Sequence, residues 1–136
     1  MQFTPYLNFN GQCEAAFKFY EQCLGGKIAT LVTFATTPMA DQVPPDWRNK
    51  ICHATLLLGE SALMGCDSTP DRYEAIHGVS ITYVPKNMAE AERVFKKMSE
   101  NGKVIMALQK TFWAVGFGML VDQFGVPWMI NCENAA

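Results

Sequence analysis

This chain runs twice through one order of elements: a short strand, a helix stopped by glycine, then three strands. In the first pass Phe3 to Phe9 reads as a strand. Thr4, Tyr6 and Asn8 fall on one side, and Pro5, Leu7 and Phe9 on the other. Pro5 has no N–H to donate, which places it at an edge or at the start of the strand. A helix is expected from about Gln12 to Leu24, because Cys13, Ala16, Phe17, Tyr20 and Leu24 repeat at helical spacing. Gly25-Gly26 stops it with a left-handed cap. Lys27 to Thr36 is β-rich. Ile51 to Leu58 is a strand, and Gly59-Glu60-Ser61 turns it into the returning strand Ala62 to Cys66.

Asp67-Ser68-Thr69-Pro70-Asp71 opens a polar linker that reaches about Ile76. The second pass then begins. Gly78 to Val84 alternates cleanly, with Val79, Ile81 and Tyr83 against Ser80 and Thr82. Asn87 with Glu90 forms a capping-box-like helix start. Met88, Ala91, Val94, Phe95 and Met98 make the apolar stripe, and Asn101-Gly102 ends the helix. Glycine caps are thus expected at both Gly25 and Gly102. Lys103 to Gln109 is a strand. A final hairpin joins Val115–Val121 to Val126–Ile130 through Asp122-Gln123-Phe124-Gly125, where Gly125 is free to take positive φ. The duplication rests on this pattern, since identity between the halves is low. The modules are placed at 1–70 and 71–136, forming one compact domain.

Between Thr37 and Asn49 lies a loop with Pro38, Pro44-Pro45 and Trp47. It reads either as a flap over a site or as a passive connection with Trp47 packed on the surface. Of the 136 residues 49% are hydrophobic and 18% charged, so apolar surface is expected to be hidden in a pocket or a subunit interface. A net charge of −2 offers no electrostatic case for nucleic acid or an anionic membrane. No apolar run approaches the roughly 20 residues of a membrane helix. Met1-Gln2-Phe3-Thr4-Pro5 has no signal-like character. The cysteines Cys13, Cys23, Cys52, Cys66 and Cys132 are odd in number and lack C-x-x-C spacing. Reduced thiols in a cytoplasmic protein are expected, without a disulfide framework or structural zinc.

Several stretches carry a family resemblance: Pro5-Tyr6-Leu7, Asn10-Gly11, Ala15 to Tyr20, His53-Ala54, Met64 to Asp67, Thr111 to Ala114, Phe117-Gly118-Met119, and Asp122 to Asn131. Together they resemble the vicinal oxygen chelate superfamily of glyoxalase I, bleomycin-resistance proteins and extradiol dioxygenases. The match is to its PhnB-like branch, also labelled 3-demethylubiquinone methyltransferase-like. The resemblance implies an α+β fold of two βαβββ modules. Their curved mixed sheet would surround a cup with the helices outside, commonly in a homodimer. In metal-using members four strand positions supply His or Glu ligands. The matching positions here are Thr4, Met64, Ser80 and Met129, none of them a good ligand for a hard cation. No metal or other cofactor is therefore expected.

The cup would be lined by Thr4, Tyr6, His53, Met64, Cys66, Ser80, Thr82, Trp113 and Met129. His53 alternates onto that face with Thr55 and Leu57, and reads as a general acid or base or as a histidine bonded for structure. His77 reads as a solvated linker residue. Asp67 and Asp122 close hairpin segments and suit turns or caps. Cys66 has no adjacent base for nucleophilic catalysis. Trp113 reads as pocket wall or core, and Trp128 as core facing the helices. Arg48, Lys50 and Lys110 suit either a phosphonate or surface solubility. The Gly-rich strand-to-helix turn of a typical S-adenosylmethionine site is absent, as is a P-loop, so methyl transfer is rejected. The reading is a metal-free cup for a small, partly apolar ligand. Its alternative is a metal-dependent isomerase, lyase or dioxygenase of the same superfamily. A dimer with a side-chain-filled cup is the plainest outcome.

Overall fold

A computed structural model of the chain describes residues 1–134. The chain divides into two units, Met1–Glu74 and Ala75–Ala136. Each contains a strand, a helix and three further strands, and each builds one four-stranded mixed sheet.

In the first unit, β1 (Tyr6–Phe9) is followed by α1 (Cys13–Leu24), β2 (Lys27–Thr33), β3 (Ile51–Leu58) and β4 (Ser61–Asp67). The sheet order is β1-β4-β3-β2, with β1 parallel to β4 and the other pairs antiparallel. Pro5 sits just before β1, where its missing N–H costs no ladder bond. Its carbonyl accepts from the Met64 amide. Leu7 and Phe9 are buried while Tyr6 and Asn8 are exposed, as the alternation predicts. The α1 stripe of Cys13, Ala16, Phe17, Tyr20 and Leu24 is buried throughout, and Cys23 joins it. Gly25 takes φ +82° and its amide donates to the Glu21 carbonyl, which is the expected left-handed cap.

In the second unit, β5 (Ile81–Tyr83) leads to α2 (Met88–Met98), β6 (Lys103–Gln109), β7 (Gly116–Val121) and β8 (Pro127–Cys132). The order β5-β8-β7-β6, with β5 parallel to β8, repeats the first topology. Asn87 Oδ1 accepts from the Glu90 amide, and Glu90 reaches back to the Lys86 amide, so the capping box forms one residue wider than its ideal. Gly125 takes φ +87° in the β7–β8 turn.

The expected glycine cap at Gly102 is not what ends α2. Its C-cap is Ser99 in ordinary helical geometry, and the left-handed residue is Asn101 at φ +57°. Glycine is required at 102 by proximity: a Cβ there would lie 2.4 Å from the Val121 carbonyl oxygen. Three strands are also shorter than their sequence patterns: Phe3, Thr4 and Pro5 precede β1 without joining it. Phe34–Thr36 leaves β2 as a 3₁₀ turn, and Val79, Ser80 and Val84 flank β5 without joining it.

Candidate functional site

Gly65 decides which face of the first sheet meets α1. A Cβ there would lie 2.9 Å from the Phe17 ring, so this part of β4 faces the helix. Its neighbours Met64 and Cys66 therefore point the other way. The register Tyr6↔Met64, Thr55↔Met64 and Asn8↔Cys66 adds Tyr6, Asn8 and Thr55 to that open face, and His53 follows by alternation with Thr55.

These side chains form a hydrogen-bonded chain. The Tyr6 hydroxyl lies 3.2 Å from His53 Nδ1, and His53 Nε2 lies 3.1 Å from Thr55 Oγ1. Beside them the Cys66 thiol donates to Asn8 Oδ1 at 3.4 Å. Burial pushes the Tyr6 phenol up, and the nearby Cys66 adds to the shift. Burial also pushes the Cys66 thiol up. Both groups keep their protons at neutral pH. The Tyr6 hydroxyl can donate to Nδ1 or accept from it, and the imidazole tautomer sets the complementary role at the Thr55 oxygen. A thiol held protonated is a weak nucleophile. The arrangement suits proton transfer or ligand orientation through Tyr6 and His53 better than attack by Cys66.

Gly116 and Gly118 orient the second sheet in the same way. A Cβ at either would come within 2.5 Å of a side-chain atom of α2, Met88 Sδ or the Phe95 ring. Phe117 and Met119 thus point away from α2. The register Phe117↔Asn131, Met119↔Met129 and Thr82↔Met129 places Asn131, Met129 and Thr82 with them. Trp113 meets Phe117 edge-on at 5.1 Å and Phe112 edge-on at 4.7 Å. Its loop is pinned by the Thr111 amide to the Ala114 carbonyl and by the Ala114 amide to Thr111 Oγ1. Trp128 faces the opposite side, buried, and its indole N–H donates to Asp122 Oδ2 at 2.9 Å.

The residues expected at the site are distributed accordingly. Tyr6, His53, Met64 and Cys66 share the open face of the first sheet; Thr82, Met129 and, through Phe117, Trp113 share that of the second. Thr4 precedes β1 and is exposed, and Ser80 precedes β5. Asp67 and Asp122 are buried and hold backbone. Asp67 accepts from the Cys13 and Ile51 amides, and Asp122 Oδ1 accepts from Phe124 and Val126. The 34–50 loop is folded on itself. Phe34 and Ala35 donate to the carbonyls of Lys50 and Arg48, Arg48 Nε donates to the Ala40 carbonyl, and Lys50 Nζ donates to the Gly11 carbonyl beside the Trp47 ring. Arg48 thus braces the loop, and Lys50 ties its end to the turn before α1. Asn8, Phe117 and Asn131 were absent from the expected lining, although Asn8 alternates with Tyr6, Asn131 alternates with Met129, and Phe117 pairs with Asn131.

The donor set at the four positions matched to metal ligands is two hydroxyls and two thioethers, with Thr4 and Ser80 outside the strands. Such donors do not fit Mn, Fe, Ni or Zn in an oxygen-chelating role. Among the described residues no group of three or more His, Cys, Asp or Glu side chains could hold a metal ion. No helix among them is long and apolar enough to cross a membrane.

The model of the 3-demethylubiquinone-9 3-methyltransferase family matches residues 1–131. The chain belongs to this family. The chain is similar to Protein YjdN of Escherichia coli (strain K12). It is 36% identical over 141 residues, covering 96% of this chain and 95% of that protein. The structure of protein PA1353 from Pseudomonas aeruginosa is 47% identical, covers 98% of each chain and superposes with a TM-score of 0.90. The Bacillus cereus PhnB protein, described as a putative 3-demethylubiquinone-9 3-methyltransferase, is 25% identical, with 97% of this chain and 99% of that one covered and a TM-score of 0.80. The fold extends to a glyoxalase/bleomycin resistance protein/dioxygenase family enzyme of Burkholderia phytofirmans PsJN. That enzyme is 11% identical over 96% of each chain, with a TM-score of 0.65. The α+β fold expected from the motifs is therefore the chain's own, and the expected PhnB-like, 3-demethylubiquinone methyltransferase-like label agrees with the family model and the Bacillus cereus relative.

Proposed function

We propose that this family member holds a small, partly apolar molecule against the open face of a sheet, without a bound metal ion. The Tyr6–His53–Thr55 chain carries the reading: a donor and acceptor series on a sheet face shared with the Met64 thioether. A few placed polar groups among apolar ones are what orients a small ligand. His53 is the candidate general acid or base, with a hydroxyl at each ring nitrogen.

The family description speaks of methyl transfer, and our reading sets that aside for this chain. A typical S-adenosylmethionine site uses a Gly-rich turn between a strand and a helix. Here Gly116 and Gly118 lie within β7, tight beneath Met88 and Phe95. A metal-dependent isomerase, lyase or dioxygenase is the alternative on the same fold.

Two measurements on the purified protein separate these readings. Elemental analysis is expected to find metal far below one ion per chain, and native mass spectrometry to find a small molecule released on denaturation. Stoichiometric Fe, Mn, Ni or Zn would overturn the metal-free reading, and the absence of any released or rebindable small molecule would overturn the ligand-binding one.

The same reading includes a homodimer in the cytoplasm. The edge strand β6 leaves Val104, Ile105 and Met106 exposed, on a chain with only 18% charged residues. The five free cysteines suit a reducing compartment. Sedimentation is expected to give twice the chain mass of 15.2 kDa, and a monomer at micromolar concentration would count against the dimer.

A further inference from the structure

The second sheet carries a buried hydrogen-bond acceptor with no partner among the described residues. Asn131 lies two residues beyond Met129 on β8, so its side chain leaves the sheet on the face away from α2. Its Nδ2 reaches Glu133 Oε1 at 3.4 Å. A carboxylate can only accept, so this contact fixes which end of the amide is nitrogen. The other end, Oδ1, is buried and has no hydrogen-bond partner among the described residues. A buried acceptor left bare is costly, and an unsatisfied group of this kind in a folded protein calls for a donor from elsewhere. Directly across the strand pair lies Phe117, whose ring meets Trp113, and Trp113 keeps half of its surface exposed.

We propose that Asn131 Oδ1, Phe117 and Trp113 form a subsite for a flat heteroaromatic ring with an N–H edge, such as a lactam. The ring lies against the aromatic pair and donates its N–H to Oδ1. Aromatic faces and edges reward a flat partner, and the polar edge supplies the missing donor. Anionic rings are disfavoured, because the group they meet is a carbonyl oxygen with the Glu133 carboxylate beside it. This inference rests on the ligand-binding reading above and names the chemistry of the ligand.

A matched pair of probes tests it: 2-quinolone, which carries the lactam N–H, and N-methyl-2-quinolone, which does not. Each is titrated into the ¹⁵N-labelled full chain while the Asn131 side-chain amide and the Trp113 indole resonances are followed. Both resonances are expected to move saturably with 2-quinolone, and the N-methyl compound to bind about tenfold more weakly or worse. Asn131→Leu is expected to erase that difference, while an unmoved Trp128 indole resonance reports that the fold is retained. Equal affinities, shifts that bypass Asn131 and Trp113, or no binding of either probe would overturn the inference. The ligand-binding reading fails separately, on the release experiment described for it.

Discussion

The Cys13 amide donates to Asp67 Oδ1 across 2.9 Å, so the residue that ends β4 also anchors the first turn of α1. The second carboxylate oxygen takes the Ile51 amide at 2.8 Å, at the start of β3. Asp67→Ala leaves two buried N–H groups without acceptors and is expected to cost about 3 kcal/mol. Urea unfolding checks this. A loss below about 1 kcal/mol would show that solvent replaces the carboxylate.

Tyr6→Phe removes one hydroxyl from the polar chain and leaves the ring. His53 Nδ1 then loses its hydrogen-bond partner, and the balance of imidazole tautomers is expected to shift. Long-range ¹H–¹⁵N correlation spectra read the tautomer directly. The stability change is expected to be about 1 kcal/mol or less. An unchanged tautomer would mean that Tyr6 does not set the state of His53.

Gly118→Ala places a methyl group 2.5 Å from the Phe95 ring and about as close to the Leu108 backbone as contacts ever come. The ring can turn but the backbone resists, so a loss of about 1–3 kcal/mol is expected. Gly25→Ala meets no neighbour within 4 Å and is strained only by its φ of +82°. Its cost is expected to be about 1 kcal/mol. Thermal denaturation of the two variants should rank them in that order.

Stability is expected to fall at alkaline pH. Burial raises the thiols of Cys13 and Cys66 above their ordinary 9.0, and the phenols of Tyr6 and Tyr83 above their ordinary 10.0. In the unfolded chain these groups lose protons at their ordinary values, while in the folded chain they keep them. The unfolded state therefore binds fewer protons, and stability present below about pH 9 is lost as pH rises beyond it. Denaturant midpoints at pH 7.5, 9 and 10.5 should decline in that order. A flat profile across that range would refute the shifts.

Much of the architecture was legible because it is written in short periods. The α1 stripe, the alternation of Tyr6 to Phe9, the Asn87–Glu90 cap and the turn at Gly125 all follow from residues a few positions apart. Alternation also placed Trp128 on the buried side of its strand. Distance in the chain is where legibility ended. That Tyr6 would bond His53, or that Gly102 would be required by the Val121 carbonyl, depends on register, which no local pattern states. The 37–49 segment was readable as a loop but not in its internal order, much of which comes from main-chain carbonyls that any sequence possesses. Asn131 was readable in position but not in significance, since only burial reveals an acceptor without a donor.

The parallel pairing of β1 with β4 has a consequence for synthesis. The strand made first in the opening half finds its neighbour in the strand made last, and the later half repeats the arrangement with β5 and β8. On a ribosome, the N-terminal segment must wait, unpaired and with Leu7 and Phe9 uncovered, until Asp67 has cleared the exit tunnel. Chaperone contact during translation should therefore come in two waves, each ending as a module's closing strand emerges.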